Sequence, residues 1–137
     1  MKKVNCILLV DDNPADNYYH KYIITDAAIC NRIEAVFSGD EALAYLIKSG
    51  EPGKEEAFPI PGIIFLDINM PRMNGFEFLE EFIKLDEDLK SKLVVIMLTT
   101  SVNPEDRNRA MKIKEVKEFQ NKPLSIEVLK EIIERHF

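Results

Sequence analysis

Of the 137 residues, 46% are hydrophobic and 31% are charged, a balance that predicts one globular domain over residues 1–137. The formal net charge of −6 argues against a nucleic-acid surface, and no apolar run approaches the roughly 20 residues that cross a bilayer. We therefore expect a cytoplasmic protein that binds neither nucleic acid nor membrane, with Cys6 and Cys30 as reduced thiols.

Five segments along the chain are predicted to be β-strands. Three are short and almost continuously apolar, which is typical of strands buried on both faces of a parallel sheet: Cys6–Val10, Ile63–Leu66 and Leu93–Leu98. Ile33–Phe37 and Val116–Asn121 are more polar. We predict that these two are edge strands, because charge at a sheet edge discourages pairing with other chains.

Helical patterns lie between the strands and after the last one. Pro14 suits a helix start, and Asn103 and Ser125 suit N-caps of the fourth and fifth helices. Apolar stripes mark the first, second, third and fifth helices. In that order their residues are Ala15, Tyr18, Tyr19, Tyr22 and Ile23; Ala42, Leu43, Leu46 and Ile47; Phe76, Leu79, Phe82 and Ile83; and Val128, Leu129, Ile132 and Ile133.

This alternation of five strands with five helices predicts an α/β fold, a parallel sheet covered on both faces and joined by right-handed crossovers. Three apolar strands inside two polar ones fit the doubly wound strand order 2-1-3-4-5. Gly50–Gly62, which contains three prolines, is predicted to be a surface loop before the third strand.

Polar side chains follow four of the predicted strands: Asp11 and Asp12, then Asp67, then Thr99–Ser101, then Lys122. In an open parallel sheet all of them lie beyond the carboxyl ends of the strands. Three neighbouring carboxylates need a cation, and oxygen ligands suit Mg²⁺. A lysine suits phosphate, and a carboxylate can form an aspartyl phosphate. Each residue alone has an ordinary structural explanation, but the set predicts a phosphoryl-accepting site.

Four stretches resemble the receiver domains of two-component response regulators, over essentially the whole chain. They are Ile7–Pro14, Leu66–Gly75, Met97–Ser101 and Asn121–Pro123, in the family's order and spacing. The Asp-x-Asn-Met-Pro-x-Met-x-Gly pattern that begins at Asp67 is the most specific. The resemblance implies a CheY-like, flavodoxin-like signalling switch that catalyses only its own phosphorylation and dephosphorylation.

The resemblance also implies a role for each matching residue. Asp67 corresponds to the phosphoacceptor, Asp12 to a direct Mg²⁺ ligand and Asp11 to a ligand through water. The backbone carbonyl of Asn69 completes the metal shell in such proteins. Lys122 corresponds to the phosphate-binding lysine.

Further positions are implied to carry the switch. Thr99 is similar to the hydroxyl that moves toward a bound phosphoryl group, and Phe119 to the aromatic that then turns inward. Asn69 and Ser101 match the positions that tune phosphoryl lifetime; neither is acidic, so we expect a longer-lived phosphoryl group. The family usually has a cis peptide before the residue matching Pro123.

The resemblance implies partners as well. A histidine kinase or a histidine phosphotransfer protein would be the donor, and the surface of helix four, strand five and helix five would bind a downstream protein that the sequence does not identify. Met111–Phe119 departs from the family pattern and leaves the end of helix four open. The Gly50–Gly62 loop is similar to that of phytochrome-associated single-domain regulators.

Other functions agree less well with the sequence. No effector domain is expected after Phe137, so a stand-alone receiver would either bind a target or pass its phosphate onward in a phosphorelay; transfer from Asp67 to a histidine phosphotransfer protein would separate these. A Mg²⁺-dependent aspartyl phosphatase usually has a second aspartate where Asn69 stands. A pseudo-receiver would lack part of the site, and a flavodoxin would have a phosphate-cradling loop after strand one.

Overall fold

The computed structural model describes residues 3–137, which form five strands and six helices. In chain order these are β1 Val4–Val10, α1 Pro14–Ala27, β2 Cys30–Val36, α2 Gly39–Ser49, β3 Ile63–Leu66, α3 Gly75–Phe82, α4 Glu87–Lys90, β4 Val94–Thr99, α5 Pro104–Met111, β5 Val116–Asn121 and α6 Ile126–His136. No helix among the described residues is long and apolar enough to cross a membrane.

All five strands form one parallel sheet in the order β2-β1-β3-β4-β5. The predicted strand order and the two polar edge strands are therefore confirmed. Apart from Asn5 and Val94, the residues of the inner strands are buried, because helices cover both faces of the sheet.

The sheet separates the hydrophobic core into two layers. Alternate residues of each strand point to opposite faces, so Leu8 and Ile64 lie in one layer while Ile7 and Phe65 lie in the other. Helices α2, α3, α4 and α5 pack on the first face, and α1 and α6 pack on the second. Phe119 of β5 belongs to the first layer.

The apolar stripe predicted for the first helix is wrong. Tyr18 and Tyr22 are 77% and 62% exposed, and α1 instead buries Asn17, His20, Ile24 and Ala27. Asn17 is held inside because its amide donates to the backbone carbonyls that follow β1 and end β2, at 2.9 and 3.2 Å. A polar residue therefore directs the buried face of α1, and hydrophobic spacing could not show this.

The structure has six helices and not the five predicted. The additional helix is α4, which lies between α3 and β4. Asp86 caps it by accepting a hydrogen bond from the backbone N–H of Asp88, and Leu89 is buried beneath it. The fourth predicted helix corresponds to α5, which ends at Met111. Ile47 and Ile83, placed on apolar stripes, are 53% and 42% exposed.

The loop from Gly50 to Gly62 runs over the surface as a series of turns and is fastened at two points. The Arg32 guanidinium of edge strand β2 donates to the carbonyls of Glu56 and Ala57 at 3.0 and 2.9 Å. The buried Tyr45 hydroxyl donates to the Pro59 carbonyl at 2.7 Å. Both cysteines are free thiols, with Cys6 fully buried.

Candidate functional site

The polar residues predicted to converge do lie together at the carboxyl end of the sheet. Backbone hydrogen bonds between neighbouring strands fix their positions. The N–H of Asp11 donates to Val36 O at 3.2 Å, and that of Asp67 donates to Val10 O at 3.0 Å. Toward the β5 edge of the sheet, the N–H of Lys122 donates to Thr99 O at 2.8 Å. The sheet ladder itself therefore sets the spacing of the site.

Three carboxylates form the acidic part of the site. Asp11, Asp12 and Asp67 each offer an oxygen, and these oxygens lie within 4.8 Å of one another. Asp11 and Asp67 are buried, 5% and 6% exposed, while Asp12 is more open to solvent. Burial first, and then the charge of Asp11, raises the pKa of Asp67 from 3.8 to about 6. Buried carboxylates this close together repel one another unless a cation neutralises them. All of the oxygens that they offer are the hard ligands that Mg²⁺ prefers.

Lys122 supplies the positive charge at this site. Its ammonium lies 2.5 Å from Asp11 Oδ2, 2.8 Å from Asp16 Oδ2 and 3.6 Å from Asp67 Oδ1. The lysine side chain is only 8% exposed. Burial acts to lower its pKa, but the hydrogen bonds to Asp11 and Asp16 outweigh this and raise it. Lys122 is thus a permanent cation held among three carboxylates.

Asp16 is the site residue that the sequence did not reveal. It occupies the third position of α1, after the N-cap Asn13, whose side chain accepts from the N–H groups of Ala15 and Asp16. The signal that could have found it is positional. A carboxylate in the first turn of the helix that follows β1 stays at the carboxyl end of the sheet, and it is also favoured there by the helix dipole.

The candidate switch residues lie on the β4 and β5 side of the site. Thr99 is fully buried, and its Oγ1 accepts a hydrogen bond from the N–H of Ser101 at 3.1 Å. The Ser101 hydroxyl donates to Asp106 Oδ2 of α5 at 2.7 Å. Phe119 is 8% exposed, and the Arg107 guanidinium lies 5.9 Å from its ring centroid. A chain of contacts therefore joins the site to α5.

The segment after Asp67 carries the most specific sequence pattern. Asn69 is exposed there, and Met70 is buried in the core. The segment closes through a hydrogen bond from the N–H of Gly75 to Ile68 O at 2.8 Å. A Cβ at Gly75 would lie 2.5 Å from Asp67 O and 3.0 Å from Ile68 Cα. Only glycine lets α3 begin this close to the strand end. The expected cis peptide before Pro123 is also present.

The fold and this site together define a doubly wound α/β domain with an acidic, lysine-containing site at the carboxyl end of its sheet. Residues 7–134 match the family model described as the response regulator receiver domain. The chain therefore belongs to the response regulator receiver family. Receiver domains are signalling switches that accept phosphoryl groups from histidine kinases and bind Mg²⁺ at an acidic pocket.

Individual relatives agree with this membership. Response regulator Rcp1 of Synechocystis is 38% identical over 100 residues, which cover 73% of this chain and 65% of Rcp1, slightly less than two thirds of its length. A two-component response regulator from Cytophaga hutchinsonii superposes with a TM-score of 0.88 at 30% identity, covering 98% and 97% of the two chains. The bacteriophytochrome response regulator AtBRR gives 0.76 at 28% identity, covering 98% and 93%.

Proposed function

We propose that this protein is a stand-alone, cytoplasmic response regulator that accepts a phosphoryl group on Asp67 and then changes its affinity for a protein partner. The observation that carries the proposal is the position of Asp67, which lies between two further carboxylates and the Lys122 ammonium. A nucleophilic carboxylate, a cation site and a fixed positive charge are what phosphoryl transfer to an aspartate requires.

The transfer itself is a displacement at phosphorus. An oxygen of the Asp67 carboxylate forms a bond to phosphorus while the bond to the donor's histidine nitrogen breaks, and the electron pair leaves with the imidazole. Asp11, Asp12, Asp67 and the backbone carbonyl of Asn69 would hold Mg²⁺, which would neutralise charge on the phosphoryl oxygens. The donor is a histidine kinase or a histidine phosphotransfer protein.

Lys122 has two tasks in this proposal. Its ammonium partly offsets the charge of Asp67 before transfer, and it pairs with the phosphoryl group afterwards. The Thr99 hydroxyl, released from Ser101, would then bind the phosphoryl group, and Phe119 would follow it. Because Arg107 lies over Phe119, this movement would alter the surface of α5, β5 and α6, where the partner binds.

Labelling with a small phosphodonor tests the proposal directly. Incubation with acetyl phosphate and Mg²⁺ is expected to add one phosphoryl group to the chain, measured by intact mass spectrometry. Chelation of the metal should slow labelling by at least tenfold, because the three carboxylates would then repel the donor's charge. Equal labelling with and without chelator would contradict the role given to the acidic residues.

The lifetime of the phosphoryl group is a second expected property. The Ser101 hydroxyl is tied to Asp106 and carries no charge that could orient an attacking water. We expect Ser101→Glu to shorten the half-life of the labelled protein several-fold, because a carboxylate there could hold such a water. Mass spectra taken after removal of the phosphodonor would measure it. A longer half-life in the variant would show that Ser101 does not tune the lifetime.

A further inference from the structure

Lys122 makes its two short ion pairs with Asp11 and Asp16, not with Asp67. The distances are 2.5 and 2.8 Å to the first two carboxylates and 3.6 Å to the third. The last distance is too long for a hydrogen bond between a lysine and a carboxylate. In the free protein the ammonium is therefore held on the α1 side of the site.

The two short partners differ in what else they can bind. Asp11 belongs to the group of carboxylates whose oxygens could share a metal ion, and Asp16 does not. A cation bound to that group would therefore compete with Lys122 for Asp11. Asp16 is also the more open of the two, with its side chain 36% exposed against 7% for Asp11.

Losing Asp11 would be costly for a lysine without another partner. Lys122 is 8% exposed, and a buried ammonium with no paired carboxylate is strongly unfavourable. Asp67 cannot fully replace Asp11, because it too belongs to the acidic group that would hold the metal. Asp16 is the remaining carboxylate within reach of the ammonium among the described residues.

We infer that Asp16 is a positioning residue that keeps Lys122 paired when Mg²⁺ takes Asp11. It thereby strengthens Mg²⁺ binding without contacting the ion. The inference rests on the proposed function for the identity of the cation. It assigns Asp16 a role in the first step, loading of the site, and not in the transfer of the phosphoryl group.

A simpler explanation is that Asp16 attracts Mg²⁺ only through its negative charge. The two explanations differ in whether the effect needs Lys122. If Asp16 acts through the lysine, removing the Asp16 charge weakens Mg²⁺ binding only while Lys122 is present. If it acts through its own field, the loss is the same with or without the lysine.

A double-mutant cycle on the full chain decides between them. The Mg²⁺ dissociation constant would be measured by NMR titration, following the amides of residues 11–13 and 67–69, in the native protein and in the Asp16→Asn, Lys122→Gln and doubly substituted variants. The same spectra show that each variant is folded. Asp26→Asn is the matched control, because Asp26 lies exposed near the far end of the same helix.

We expect Asp16→Asn to weaken Mg²⁺ binding by roughly fivefold in the native background and by less than about twofold in the Lys122→Gln background. Asp16→Glu should restore most of the affinity, and Asp26→Asn should leave it unchanged. An equal loss in both backgrounds, or no loss in the native one, would overturn the inference. If these results hold but Asp67 takes no phosphoryl group, the proposed function fails and the role of Asp16 remains.

Discussion

Replacement of Asp67 by asparagine is expected to abolish phosphoryl labelling by acetyl phosphate. The side-chain amide of asparagine cannot form an acyl phosphate under these conditions, and of the three clustered carboxylates Asp67 is the one that directly follows β3. Intact mass spectrometry of native and variant protein, each saturated with Mg²⁺, would measure the effect. Asp26→Asn, which removes the same charge from an exposed part of α1, should label like the native chain.

The same variant is expected to be more stable than the native protein in metal-free buffer. Asp67 has a pKa of about 6 in the fold against an ordinary 3.8, so the folded state binds its proton more tightly than the unfolded state does. The contribution of Asp67 to the free energy of unfolding should therefore fall as the pH rises from 3.8 to above 6. The full cost is on the order of 3 kcal/mol above that range, since one pKa unit corresponds to about 1.4 kcal/mol.

Asparagine removes that ionisation, so the stability gain should be roughly 1.5 kcal/mol at pH 5 and should reach roughly 3 kcal/mol at pH 8. Urea unfolding at the two pH values would measure it. A gain that is equal at both pH values would show that the burial of Asp67 is not its cause. Residual labelling of the variant at the native rate would remove Asp67 from the role of phosphoacceptor altogether.

Gly75→Ala is expected to be the most damaging small substitution near the site. The new Cβ would lie 2.5 Å from Asp67 O and 3.0 Å from Ile68 Cα, and both are backbone atoms that cannot rotate away. Either α3 must move or the strand end carrying Asp67 must move. Overpacking of this kind costs about 1–3 kcal/mol and at times more, and here it should also slow labelling of Asp67 by at least tenfold.

Gly50→Ala provides the matched control. Gly50 follows α2 in a right-handed helical conformation, and a Cβ there would lie 3.7 Å from its nearest neighbours, an ordinary contact distance. We expect this variant to unfold within about 0.5 kcal/mol of the native protein and to label normally. Denaturant unfolding and the labelling assay apply to both variants. Native-like labelling by Gly75→Ala would mean that the strand end adapts without displacing Asp67.

Residues whose position depends on the sheet could be predicted from the sequence. The strand order follows from which strands are apolar on both faces, and the order brings Asp11, Asp67, Thr99 and Lys122 to one end because the strands are parallel. The predicted strand Val116–Asn121 has the same ends as β5, although most of its residues are polar. These successes depend on regular geometry that repeats from strand to strand.

Features fixed by single hydrogen bonds could not be predicted in this way. The buried face of α1 is set by the Asn17 amide reaching two backbone carbonyls, so the tyrosine stripe gave the wrong face. Helix α4 is one turn long and depends on its Asp86 cap and on Leu89 beneath it. Asp16 belongs to the site because it accepts a hydrogen bond from Lys122, which lies 106 positions away in the chain. The sequence does not show this contact.

The division of the core into two layers by the sheet has a consequence for how the amino-acid sequence can vary. The layer beneath α1 and α6 does not contain Phe119, which packs with α2, α3 and α5 on the opposite face. Substitutions on separate faces of a sheet share few neighbours, so their effects on stability tend to add rather than interfere. The buried residues beneath α1 and α6 can therefore vary in sequence while Phe119 and its neighbours on the opposite face are preserved.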